Sequence, residues 1–99
     1  MIKPKKLASM GRLLMCEAIL DLLYEKYSKD VGVGAAEIGK RLGIYRKAGV
    51  VHMNDAIVTG FLNELHELGK VIQKPQPNGK GGWSLSHKEY NSRKREREG

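Results

Sequence analysis

Residues 54–86 read NDAIVTGFLNELHELGKVIQKPQPNGKGGWSLS, and the fold turns on where the apolar period changes inside them. Val58, Phe61, Leu62, Leu65 and Leu68 are spaced 3, 1, 3 and 3, with Ile57 beside them. That is one face of a helix. The pattern predicts a helix over 55–68, with Asn54 as its N-cap and Asp55 in the first turn, where the helix dipole favours an acid. Gly69 stops it. Val71-Ile72-Gln73-Lys74 is then strand-like, 75–82 (PQPNGKGG) is dense in turn formers, and Trp83-Ser84-Leu85-Ser86 alternates apolar and polar as a half-buried strand does. The reading is a core helix that feeds directly into a hairpin with a flexible, basic tip.

Upstream, Leu13, Cys16, Leu20, Leu23, Tyr24 and Tyr27 step by 3, 4, 3, 1 and 3, and predict a helix over 9–28 with Ser9 as N-cap. Ile19 and Leu22 widen the apolar face, so this helix either lies centrally in the core or lends a spare face to a partner. Val31-Gly32-Val33-Gly34 is too short for a sheet alone but suits the first strand of a three-stranded one. Residues 35–42 read as a short helix closed by Gly43. Within it Ala36, Ile38 and Leu42 are expected inward, Glu37, Lys40 and Arg41 in water. The connector 44–53 (IYRKAGVVHM) has no clear period. Residues 1–7 read as a flexible basic arm in which Pro4 opposes an early helix, 8–87 as the domain, and 88–99 as a charged, disordered tail.

Ninety-nine residues suit one domain. Aromatic residues are only 6% of the chain, so the core falls to Leu, Ile, Val, Ala and Met. The single cysteine, Cys16, permits no intramolecular disulfide and completes no cysteine-based zinc site; in an apolar helical pattern it reads as a buried, inert thiol of a reducing compartment. The formal charge of +7 favours a polyanionic partner. No apolar run approaches the roughly 18 residues of a membrane span. Arg12, Glu17 and Asp21 break any signal-peptide core behind the basic start, so a soluble, non-secreted protein without a membrane partner is expected.

The order helix, short strand, short helix, helix, hairpin resembles the winged helix-turn-helix family over residues 9–86. The motifs that carry the likeness are Ala35 to Ile44 (AAEIGKRLGI), Asn54 to Leu68 followed by Gly69-Lys70-Val71-Ile72, and the Gly/Pro-rich hairpin ending in Trp83. Small residues at Ala35, Ala36 and Gly39 would let the next helix cross closely. The resemblance implies an α+β, mainly helical fold of three helices with a small antiparallel β-hairpin wing. It also implies double-stranded DNA as partner, with the third helix in the major groove and Trp83 packing the wing onto the body. Carried onto this chain, the groove-facing positions are Asn54, Asp55, Ala56, Thr59, Gly60 and Asn63, and Asn54, Thr59 and Asn63 are the side chains suited to reading bases. Basic contacts are expected from Lys40, Arg41, Arg46, Lys47, Lys74 and Lys80.

Two departures from the family are visible. The 44–53 connector exceeds the usual tight turn, and the third helix carries no Lys or Arg before Lys70. A proline-rich tip followed by Trp is also similar to left-handed-DNA-binding winged helices. However, Thr59 and Asn63 stand where that family has its Asn and Tyr contacts, which argues against that specificity.

The expected function is a sequence-specific transcriptional regulator, cytoplasmic and nucleoid-associated or, in a eukaryote, nuclear, possessing no catalytic residues and needing no cofactor or metal. A homodimer through the first helix or the tail would multiply specificity. The alternatives are a DNA-targeting module of a larger nuclease or recombination enzyme, and a winged helix used for protein contacts. His52, His66 and His87 have no metal-ligand spacing, and Glu64 with Glu67, or Glu37 with Asp55, read as solvated helix faces rather than acid/base pairs. Asn78-Gly79-Lys80-Gly81-Gly82 lacks the strand and helix that a phosphate loop needs.

Overall fold

Helix α1 spans Pro4–Glu25, five residues earlier than its apolar period suggested. Pro4 is the reason: at the first helical position its missing N–H would be unsatisfied anyway and its φ is already helical, so it starts the helix rather than opposing it. Ser9 is therefore inside α1, not its cap. The computed structural model describes residues 2–43 and 51–98, with the backbone alone over 51–55. Helix α2 spans Ala35–Arg41, helix α3 Val51–Glu67, strand β1 Val71–Pro75, strand β2 Gly81–Leu85, and helix α4 His87–Glu98. The fold is α+β and mainly helical, with four helices and one two-stranded antiparallel hairpin.

Helix α3 begins at Val51, so Asn54 lies within it and is not its N-cap. Its C-terminus is a Schellman turn: Lys70 N–H donates to Leu65 C=O at 3.0 Å and Gly69 N–H to His66 C=O at 3.0 Å. Gly69 adopts φ 74°, which costs other residues roughly 1–2 kcal/mol. The turn sends the chain straight into β1. Val71 pairs with Leu85, Gln73 with Trp83 and Pro75 with Gly81.

The first strand expected at 31–34 is reduced to a single bridge. Val33 and Trp83 exchange both backbone hydrogen bonds at 2.8 Å, and Gly32 N–H donates to Pro75 C=O at 2.9 Å. A Cβ on Gly32 would stand 2.6 Å from Lys74 O and 2.8 Å from Trp83 N, so only glycine lets this segment lie against the hairpin.

The core joins Ile19, Leu20, Leu22 and Leu23 of α1 to Ile38 of α2, to Val58, Leu62 and Leu65 of α3, and to Val71, Trp83 and Leu85 of the hairpin. Several residues expected inward are not. Leu13 and Leu68 are 69% and 65% exposed, and Ile57 and Ala36 also face solvent. Leu13 precedes the part of α1 that meets the body, and Leu68 lies past the last turn of α3. In α2 it is Ala35, Ile38 and buried Gly39 that turn toward the core.

The largest departure is α4, where a disordered tail was expected. Ser86 caps it: Glu89 N–H donates to Ser86 Oγ at 3.2 Å. Tyr90 stacks on Tyr27, just past the end of α1, and on Tyr24 of α1, with centroids 3.8 and 5.3 Å away. Arg93 reaches Glu17, Asp21 and Glu89 at 2.8–3.0 Å, and Arg97 bonds Asp21 while lying over the Tyr24 ring. Positions 90, 93 and 97 form one helix face, so charge and aromatic stacking supply the docking that apolar residues usually provide.

Candidate nucleic-acid interface

Helix α2 packs on α3, α3 also meets α1 and β1, and this leaves one side of α3 uncovered. Its outer stripe is Ala56, Gly60, Asn63 and Glu67, at i, i+4, i+7 and i+11, all exposed. Thr59 lies at the stripe's edge, half-buried. Gly60 is informative. A glycine inside a helix costs about 1 kcal/mol relative to Ala, and a Cβ at Gly60 would meet nothing within 4 Å. Packing among the described residues therefore gives no reason for it.

The predicted basic residues divide into separate roles. Lys40 and Arg41 are exposed on α2, with Arg41 Nε on Glu37 Oε1 at 2.8 Å. Lys80 is exposed at the hairpin tip. That tip is closed by Gln76 N–H to Lys80 C=O at 2.8 Å, Gly79 N–H to Gln76 C=O at 2.9 Å and Lys80 N–H to Asn78 Oδ1 at 2.9 Å. Lys74 does not share this position. Its Nζ donates to Ser28 C=O at 2.9 Å and lies 4.9 Å from the centre of the Tyr27 ring, so it ties the hairpin to the end of α1. Arg46 and Lys47, and the side chains of Asn54 and Asp55, lie outside the described residues.

Trp83 is only 8% exposed and meets His66 in a T-shaped contact with centroids 5.9 Å apart, which fixes the hairpin against α3 and leaves little of the indole for an outside ligand. The stripe ends in an exposed acid, Glu67, which opposes an anionic partner, whereas Glu64, off the stripe and half-buried, is paired with Arg12 of α1. That pair borders an open groove of about 310 Å³ between α1 and α3, lined by Leu13, Cys16, Leu65 and Leu68. Burial pushes the Cys16 thiol above its ordinary range, and Glu64 adds to this, so the thiol is held protonated. On Arg93, burial works against the cation, but the hydrogen bonds it donates to Glu17 and Glu89 outweigh this and push its pKa up.

A further set of cations lies on α4, where the sequence reading placed none. Arg93 and Arg97 turn toward α1, leaving Lys88, Lys94 and Arg95 exposed. Lys88 and Lys70 border a cleft of about 440 Å³ beside Gly69 and Ser92. The signal that would have placed α4 was present: Ser86-His87-Lys88-Glu89 has the spacing of a capping box.

Among the described residues no three His, Cys, Asp or Glu side chains are grouped to hold a metal ion, and no helix is long and apolar enough to cross a membrane. No family model, curated protein or solved structure matches the chain.

Proposed function

We propose that this chain is a winged helix-turn-helix domain that binds double-stranded DNA, with α3 in the major groove and the hairpin as the wing. The observation that carries the reading is the outer stripe of α3. It is small and polar at Ala56, Gly60 and Asn63, acidic only at its last member Glu67, unpacked, and borne on a helix whose other side is pinned to the core. The hairpin beside it is tied to the 31–34 segment through Val33 and Trp83, as the first strand of a winged helix ties its wing. The charge of +7 supplies sequence-independent attraction to phosphates, and Lys40, Arg41 and Lys80 are exposed to deliver it. Asn63 and Thr59 are the base-reading side chains this geometry offers. Such a protein acts by occupying its site, as a sequence-specific regulator does, without chemistry.

A second reading has one observation in its favour. Ile57 is 48% exposed on α3, and α3 carries no Lys or Arg, a surface better suited to a protein than to phosphates. Amide chemical-shift mapping with an unlabelled duplex separates the two. Binding through α3 and the wing shifts residues 56–63 and 78–81 together. Shifts confined to α4, or none, would remove α3 from the interface and favour the protein-contact reading.

A further inference from the structure

A two-stranded hairpin alone is marginally stable, and nothing in it fixes where its tip points. Three glycines seat this one on the rest of the chain. A Cβ on Gly32 would collide with the backbone of both strands. On Gly82 it would stand 2.8 Å from Lys74 O, 3.0 Å from Gln76 Cγ and 3.2 Å from Gly32 C. On Gly34 its three nearest neighbours would all belong to the Gln76 amide: Nε2 at 2.7 Å, Cδ at 2.9 Å and Oε1 at 3.0 Å. None of these three glycines has a positive φ, so what glycine supplies here is room for close approach.

Gln76 is the side chain that fills this room. It stands between Pro75 and Pro77, which have no N–H, so it holds the one backbone donor of that stretch. That N–H closes the tip on Lys80 C=O at 2.8 Å. The side chain crosses the hairpin, where Nε2 donates to Gly81 C=O at 2.7 Å. The same amide lies against Gly34, whose C=O accepts from Ile38 N–H at 3.0 Å and so opens α2. Gln76 and Pro77 also share an open cleft of about 260 Å³ with Glu37 and Arg41 of α2. One half-buried side chain thus joins the base of the tip to the start of α2.

We propose that Gln76 is a positioning residue: seated on Gly34, it fixes the hairpin tip, and Lys80 with it, at one distance and angle from α2. The inference rests on the reading of the hairpin as a DNA-binding wing. Lys80 then meets a phosphate in a set relation to Lys40 and Arg41 on α2, and the duplex does not have to order the tip as it binds. A mobile contact loses affinity to its own ordering, and a preorganised one keeps it. Gln76 acts through Lys80.

Backbone nitrogen relaxation of the full chain, free of DNA, tests the seat directly. In the wild type the amides of 78–81 should be as ordered as those of α2, with order parameters of about 0.85. Gln76→Met keeps the length and removes the donor. Gly34→Ala keeps Gln76 and pushes its amide off α2. Each should lower the order parameters at 78–81 below about 0.6 and leave those of α2 unchanged. The two substitutions remove one contact, so the double variant should be no looser than either single one. Both positions lie outside the apolar core, so each variant should unfold in one cooperative transition, as the wild type does. Duplex titrations read the consequence. Both variants should lose about tenfold in affinity with the salt slope unchanged, because the phosphate contacts survive and only their ordering is added. A tip that is mobile in the wild type, a tip that stays ordered in either variant, or an unchanged duplex affinity where the tip has loosened would each overturn the proposal. A wild type that binds no duplex would instead overturn the reading of the hairpin as a wing, and the relaxation comparison would still decide whether Gln76 seats the tip.

Discussion

Lys74 and Lys80 stand on the same hairpin and illustrate how far a residue's type falls short of its role. Both are lysines beside turn formers, and both read as wing contacts in the sequence. Lys74 is held by Ser28 C=O and the Tyr27 ring, whereas Lys80 is exposed at the tip. The difference depends on where α1 ends, which no local pattern around residue 74 records. Ser84 raises the opposite question. It alternates correctly as the polar residue of β2, yet it is 3% exposed and its hydroxyl has no partner among the described residues. An unsatisfied buried hydroxyl destabilises a fold. Ser84→Ala should therefore leave stability unchanged or raise it by about 1 kcal/mol, read as the midpoint of urea unfolding. A loss of more than that would mean the hydroxyl has a partner in solution.

Helix α4 is the element whose behaviour departs most from expectation. Its sequence lacks an apolar stripe, so periodicity carries no signal for it. Docking comes instead from Tyr90 between two tyrosines and from Arg93 shared among three carboxylates. Glu17 and Asp21 are more than half exposed, so solvent screens part of each pairing. Arg93→Ala should cost about 1 kcal/mol of global stability and speed hydrogen exchange of the amides at 90–97 far more than those of α3. Exchange that stays slow in this variant would assign the docking to the tyrosine stack. Elements with an apolar period or turn signals were legible: the end of α3 at Gly69, a hairpin from Val71 onward and the inward Ile38 follow from spacing, while the pairing register of the hairpin did not. The start of α1 was not, because its first turns bury nothing. The start of α3 falls in a connector without period, and three of its residues proved helical.

At the scale of the whole molecule, two features lack a packing partner among the described residues. One is the open face of α3 with Gly60, and the other is the apolar N-terminal half of α1 with Gly11. Each includes a mid-helix glycine at which an added Cβ would meet nothing within 4 Å among the described residues. The sequence made the first legible through its order of elements and its charge. It made the second legible only as a helix too apolar for one face. Which lysines serve a polyanion was not legible, since the cations on α4 become a surface only once that helix docks. The central claim is duplex DNA binding by electrostatic attraction with α3 and the wing in contact. Fluorescence anisotropy of a labelled random duplex, with a matching single strand, titrated at several salt concentrations tests it most directly. The account predicts tighter binding to the duplex and an affinity falling linearly in log–log form, with a slope of about −0.9 per phosphate contacted. Lys80→Glu should make that slope shallower by about one to two contacts without changing stability. Absence of duplex binding at low salt, or equal binding to both strands with no salt slope, would contradict it.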